Sequence, residues 1–161
     1  MEKTELYETF QKGLTSVNGE SYIAKKADVA ATLTKIFQDK DTHEVALVET
    51  PLLKEIGAVD ALKAAGIKVD TDHFRKNAPD DKGGVTEADY GIANLGSIVQ
   101  MKDDIDCRIV ETVSDVYVGI VKLSKIVDTF DDMIDIMAET KPFPKFAGII
   151  TGPSRTADIE C

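Results

Sequence analysis

Residues 43–70, HEVALVETPLLKEIGAVDALKAAGIKVD, decide the fold class. Glu44 to Glu49 encloses an apolar run between charged ends and reads as a strand. Pro51 follows where a helix's first turn begins, a place in which its missing N–H is no loss and its fixed φ is already helical. A second short helix, VDALKAAG, is stopped by Gly66, and IKVD reads as the next strand. Helix, glycine and short apolar strand in that order is the rhythm of a parallel α/β sheet. It settles the class of fold and nothing more.

Upstream, Leu6, Phe10 and Leu14 recur four apart and predict an amphipathic helix over Glu2–Leu14, ended by Gly13 and Asn18-Gly19. A second helix is expected over Ser21–Gln38, with Ile23, Ala27, Ala30, Leu33, Ile36 and Phe37 on one face. Downstream, Asp72–Lys82 reads as a polar loop with a helical turn at His73–Asn77. Tyr90–Val99 holds two short strand pieces around Asn94-Leu95-Gly96, and Asp103–Asp106 is acidic and solvated. Arg108–Val113 and Val116–Val121 are β-branched runs separated by Ser114-Asp115. Ser124–Glu139 predicts a helix, with Ile126, Val127, Phe130, Met133, Ile134 and Met137 on one stripe. Its other face carries Asp128, Asp131, Asp132 and Asp135, and reads as a solvated surface rather than a metal site, since hard-cation ligands converge from several elements. Lys141–Phe146, with Pro142 and Pro144, is a stiff connector into an apolar run, Phe146–Ile150, expected as a buried strand. The chain shows no repeat, and residues 1–161 are expected to form a single α/β domain with a helical N-terminal segment over residues 1–40.

Composition narrows the partners. Nineteen basic against 29 acidic residues leave a net charge of −10, a field that repels phosphate backbones and anionic bilayers. Nucleic acid is therefore not expected as a partner, nor is membrane insertion, because the apolar runs are far shorter than the roughly 20 residues of a spanning helix. The opening MEKTELYETF lacks the features of a secretory signal, so a cytoplasmic location is expected. Cys107 and Cys161 are the two cysteines, too few for the four thiolates that usually hold an iron–sulfur cluster, so no cofactor is expected in this chain.

Two stretches carry the candidate chemistry. In GGVTEADY, Thr86 offers a hydroxyl and Asp89 a carboxylate, although their spacing also suits a turn or helix cap. In ANLGS, Asn94 and Ser97 offer hydrogen bonds around Gly96, which permits a bulge or close backbone approach. The second stretch is TGPSRTADIE, residues 151–160. A Gly152-Pro153 turn after a strand presents successive N–H groups as an anion-binding concavity. Ser154 and Thr156 add hydroxyls, and Arg155 adds a guanidinium suited to carboxylate or phosphate. The alternative is that Arg155 pairs structurally with Asp158 or Glu160. Neither GxxxxGK[ST] nor GxGxxG is present, and His43 and His73 lack metal-ligand spacing.

Together, GVTEADYGIANLGSIV and ITGPSRTADIE resemble the lactate-utilisation (LUD) domain family, specifically its C-type members. The first matches at Gly84-Val85-Thr86, Ala88-Asp89, Ile92-Ala93 and Gly96 to Val99, and the second matches without a break from Gly152 to Glu160. That resemblance implies a three-layer α/β/α fold with a mainly parallel sheet, shared with ribose-5-phosphate isomerase, glucosamine-6-phosphate deaminase and CoA transferases. It also implies a part in oxidising L-lactate to pyruvate, as an accessory subunit whose iron–sulfur clusters sit in partner subunits. The implied site for a small anionic metabolite sets Thr86, Asp89, Asn94, Gly96 and Ser97 opposite Gly152, Ser154, Arg155, Thr156, Asp158 and Glu160.

This sequence departs from the family pattern twice. Asn94-Leu95 stands where the family has Glu-Thr, which removes a general base or anchoring charge. That loss favours the alternative of a non-catalytic binding or sensor domain for a phosphorylated or carboxylate metabolite. A sugar-phosphate isomerase is a third reading, by fold analogy alone. Similar proteins also continue past the Asp-Ile-Glu with a further apolar strand. A chain without it is expected to leave an edge that favours association with a partner or a second copy.

Overall fold

The computed structural model describes residues 3–153. In chain order the elements are α1 (Lys3–Ser16), α2 (Val29–Asp39), β1 (Glu44–Leu47), α3 (Pro51–Glu55), α4 (Ala58–Ala64), β2 (Lys68–Asp70), α5 (Phe74–Asn77) and β3 (Gly83–Glu87). They continue through β4 (Tyr90–Ile92), β5 (Ser97–Met101), α6 (Ile105–Val113), β6 (Val116–Ile120), β7 (Ile126–Val127), α7 (Phe130–Glu139) and β8 (Ala147–Ile150). By contacts the chain groups into two compact units, one of Tyr22–Glu87 with Asp104–Ile120, the other of Met1–Ser21, Ala88–Asp103 and Val121–Cys161.

The first, the parallel unit, is a sheet of order β2-β1-β3-β6 with every neighbouring pair parallel. Its three layers follow from alternation along β1. Val45 and Leu47 point into a core with Leu33 and Phe37 of α2, Leu53 of α3 and Leu62 of α4. Ala46 and Val48 point the other way, to Phe74 of α5 and to Cys107 and Val110 of α6. A strand buried on both faces has no polar side to show, which is why VALV is uninterrupted. This is the α/β/α arrangement the family resemblance implies.

GGVTE is β3, one of the two interior strands, rather than a turn or helix cap. Its small residues serve packing: a Cβ on Gly84 would lie 2.1 Å from the Ser114 hydroxyl and 2.9 Å from Val110 Cγ1. Arg108–Val113, the first of the β-branched runs, lies in helix α6, where Cys107 and Val110 sit three apart on the buried side. Asp104 begins that helix by accepting the Asp106 N–H at 2.9 Å, so the acidic stretch before it works as a cap. The expected helix over Ser21–Gln38 is shorter than its periodicity: a 3₁₀ turn spans Lys26–Asp28 and α2 starts at Val29. Tyr22 and Ile23 are 54% and 61% exposed, so no burial repays ordering those residues as helix.

The second, the mixed unit, has a sheet of order β7-β4-β5-β8. The β4–β5 and β5–β8 pairs are antiparallel and β4–β7 is parallel. Ile92 and Val99 bury one face of this sheet against Met133 of α7, and Phe10 of α1 approaches Gly91 on the opposite face. The helix expected from Ser124 begins only at Phe130, because Ile126-Val127 pair with β4 as β7. Thr129 closes the start of α7 with a capping box: its side chain accepts the Asp132 N–H at 3.2 Å, and Asp132 Oδ2 accepts the Thr129 N–H at 2.9 Å. The Thr129 hydroxyl, donating to Asp132 Oδ2 at 2.7 Å, and the Thr129 N–H hold the Asp132 carboxyl below the usual range, so one acid of the four-acid face is a cap. Thr129→Ala is expected to lower the thermal midpoint by about 2–4 °C, read by circular dichroism. An unchanged midpoint would mean that the cap is not holding the helix.

Within the run Phe146–Ile150, Ala147–Ile150 form β8, at the edge of this sheet among the described residues, so it is not the buried strand its composition suggests. Ile149 is 40% exposed, although it pairs with the fully buried Val99. An edge position covers one flank of a strand only. Among the described residues, no helix is long and apolar enough to cross a membrane.

Candidate functional site

In the parallel unit, polar side chains collect at the carboxyl ends of β1 and β3. Thr50, just past β1, has an extended backbone and begins α3, where its Oγ1 accepts the Leu53 N–H at 3.3 Å. The same hydroxyl donates to Glu87 Oε2 at 2.5 Å, tying the start of α3 to the last residue of β3. Thr86 is completely buried, and its Oγ1 lies 2.7 Å from the Tyr117 hydroxyl of β6. Alternation along β3 puts Val85 and Glu87 on the face of α2, α3 and α4, and Gly84 and Thr86 on the face of α6. The end of β3 thus carries a carboxylate–hydroxyl pair on one face and a hydroxyl pair on the other.

This end is also where the sheet's winding reverses. After β1 the chain crosses through α3 and α4 on one face to reach β2, and its approach to β6 runs through α6 on the other. In open α/β sheets, ligands bind outside the carboxyl ends at such a switch point. Thr50, Glu87 and Tyr117 were not singled out by sequence reasoning. A signal for Thr50 was present, because Thr directly before Pro is the pattern of a cap followed by a helix's first residue. Glu87 offers no comparable mark. It is a charged residue at the end of an apolar strand, and only the sheet order makes that place special.

Five of the other predicted residues, Asp89, Asn94, Gly96, Ser97 and Gly152, are described in the mixed unit. Asp89 precedes β4: its Oδ2 accepts the Met101 N–H at 2.7 Å, and Oδ1 lies 3.9 Å from Lys102 Nζ. Asn94 lies in a 3₁₀ turn, Ala93–Leu95, with its side chain exposed and its N–H donated to the Asp128 carbonyl at 3.0 Å. Gly96 has φ +64°, and a Cβ there would fall 2.0 Å from Leu14 N and 2.6 Å from Gly13 C. The backbone of α1 therefore rests directly on this turn. Ser97 is fully buried and its Oγ lies 2.5 Å from Thr151 Oγ1, across the β5–β8 pair. Gly152, at φ +66°, packs on Val17, whose Cγ2 would be 2.7 Å from an added Cβ.

Gly96, Ser97 and Gly152 thus lie near one another, the two glycines packed on the end of α1 and on Val17 just past it, and Ser97 bonded to Thr151. Asp89 stands at the other end of the β4–β5 pair. It borders an open cleft of about 470 Å³ with Tyr90, Met101, Asp103, Phe143 and Lys145. In that cleft Asp103 Oδ1 accepts the Lys145 N–H at 2.6 Å. Ser154, Arg155, Thr156, Asp158 and Glu160 lie outside the described residues.

Comparison with known proteins agrees with the two motifs. The family described as LUD domain matches residues 7–161. A lactate utilization protein C from Macrococcus caseolyticus (strain JCSC5402) is 36% identical over 81 residues, an alignment spanning 48% of this chain and 35% of that relative. A crystal structure of a DUF162 family protein from Deinococcus radiodurans shares the fold, with a TM-score of 0.70 and 12% identity over 94% of this chain and 89% of that one.

Proposed function

The chain belongs to the LUD domain family, and we propose that it is an accessory subunit in the iron–sulfur-dependent oxidation of L-lactate to pyruvate. The observation that carries this reading is the relative named for lactate utilization, which is similar over about half of the chain. The chain's own thiols do not suit a cluster. Cys107 is buried in the core with Ala46, Val48 and Phe74, and with Cys161 it makes two sulfurs where four are usual. No redox step is assigned to this chain, and the clusters belong to partner subunits. Its own contribution is binding, of a small metabolite or of those partners.

Purification of the full tagged chain from its native cell, grown on L-lactate, tests this. Partners containing iron and acid-labile sulfide are expected to copurify, and the complex is expected to reduce an artificial acceptor when L-lactate is added. Purification without iron, together with unimpaired growth on L-lactate after deletion of the chain, would overturn the reading. That result would favour a binding or sensor domain for a phosphorylated or carboxylate metabolite. The observation on that side is the exposed Asn94 where the family pattern has a carboxylate.

A further inference from the structure

We propose that the cleft of about 470 Å³ in the mixed unit binds a small organic cation, an ammonium group carried on an aromatic body. The cleft lies where β4 begins and β5 ends, bordered by the connector from α7 to β8. Space of this size suits a small molecule rather than a bare ion. Its wall is largely apolar, made by Tyr90, Met101, Pro142, Phe143 and Pro144. Phe143 is 50% exposed, so a guest can still cover apolar surface there. The two prolines fix φ along the connector, and a wall already held in place loses little entropy when it is engaged. A ring packed on Tyr90 or Phe143 gains more than its buried area alone supplies.

The polar edge selects the charge. Asp89 Oδ2 accepts the Met101 N–H at 2.7 Å and Asp103 Oδ1 accepts the Lys145 N–H at 2.6 Å, so backbone bonds hold both carboxylates in position. Each keeps a second oxygen. Asp89 Oδ1 has Lys102 Nζ at 3.9 Å, beyond hydrogen-bonding reach, and Asp103 Oδ2 accepts no hydrogen bond among the described residues. Thr140 has spent its proton on the Ile136 carbonyl at 2.7 Å. Lys145, the lysine that lines the cleft, is exposed and makes no ion pair among the described residues. Two fixed acids outweigh one exposed lysine, so the guest that fits brings N–H donors and a positive charge. A metal ion would find too few ligands, since no group of three converges among the described residues. An anion such as L-lactate is repelled, so the proposal does not rest on the lactate reading. The site binds; no turnover is assigned to it.

Ligand-observed NMR titration of the full chain tests this, with phenethylamine and its uncharged analogue phenethyl alcohol as probes. The alcohol is expected to bind at least about tenfold more weakly, since a hydrogen bond between charged groups is lost. Asp103→Asn keeps an acceptor for the Lys145 N–H but removes the charge, and is expected to weaken the amine by about tenfold. Phe143→Ala leaves both carboxylates in place and is expected to weaken the amine as well. Asp135→Asn, on α7 and outside the cleft, removes the same charge from the same unit and is expected to change nothing. Equal binding of amine and alcohol, or no amine binding at millimolar concentration, overturns the proposal. So does an amine affinity unchanged by both Asp103→Asn and Phe143→Ala. Equal losses from Asp103→Asn and Asp135→Asn would also overturn it, as a general attraction to an acidic chain. Binding of a pentalysine peptide without binding of the amine would do the same, because the acids would then serve a basic protein partner. None of these results depends on whether iron–sulfur partners copurify, so this site and the lactate reading can fail separately.

Discussion

Gly96→Ala is expected to unfold the mixed unit or leave it only marginally stable. The new methyl carbon would stand 2.0 Å from Leu14 N, 2.6 Å from Gly13 C and 2.7 Å from Leu14 Cα, all of them atoms of the α1 main chain. No side chain can swing aside to make room, so either the helix or the turn must move. The backbone at Gly96 is also left-handed, with φ +64°, which costs a residue bearing a Cβ about 1–2 kcal/mol. Overpacking adds about 1–3 kcal/mol and often more where only backbone could yield, against a total stability of about 5–15 kcal/mol. Gly57→Ala is the control. It has the same φ of +64° but nothing within 4 Å of an added Cβ, so it carries the conformational term alone. Urea denaturation should show Gly96→Ala losing at least about 2 kcal/mol more than Gly57→Ala. Equal losses would mean that α1 does not rest on this turn.

The parallel unit is expected to lose stability as pH rises from about 4 to above 6, the opposite of ordinary acid denaturation, and Asp81 is the cause. Its side chain is 1% exposed and Oδ2 has no hydrogen-bond partner. Burial is the main effect raising its pKa to about 6, and the nearby carboxylates of Asp70 and Glu44 add to it. Lys68 opposes the rise from 3.9 Å, but it also stands 3.1 Å from Asp70 and 3.6 Å from Glu44. One ammonium thus serves three carboxylates. Between the unfolded value of 3.8 and the folded value near 6, the native chain holds a proton that the unfolded chain has released. Stabilisation from this proton is fully present below the lower value and is lost as pH rises through the upper one. Over two pKa units the loss amounts to about 3 kcal/mol as an order of magnitude.

Asp81→Asn removes the titration. Urea unfolding at pH 5 and pH 7.5 should show the native chain weaker at the higher pH, and the Asn variant nearly level between the two. A variant with the native slope would place the effect on other groups.

Several elements were legible because each is specified by its own neighbours in sequence. Pro51, Gly66 and the run VALV are local instructions, and α3, α4, β1 and β2 stand where those residues predict. The family motifs were equally plain, the second an unbroken string from Gly152 to Glu160 and the first interrupted chiefly at Asn94-Leu95. Helix α6 was harder, because the β-branched residues of RIVETV prefer strands. Here the Asp104 cap and the burial of Cys107 and Val110 outweigh that preference. β7 was read as the start of a helix, since Ile126 and Val127 continue the stripe of α7, and only pairing with β4 makes them a strand.

The candidate residues divide in the same way. Their chemical types could be listed from the sequence: hydroxyls at Thr86 and Ser97, a carboxylate at Asp89, a permissive backbone at Gly96 and Gly152. What each of them touches is a long-range fact. Ser97 meets Thr151 from 54 residues away, Thr50 meets Glu87 from 37, and Gly96 is required because a helix begun at Lys3 returns to lie on it. By itself the sequence determined the α/β class, the family and the absence of enough cysteines for a cluster, since these depend on composition and local order. Tertiary structure decided which strand ends meet and which helix braces the turn at Gly96. It also decided which carboxylate is buried. Those outcomes depend on contacts between distant residues, which no window of neighbouring positions contains.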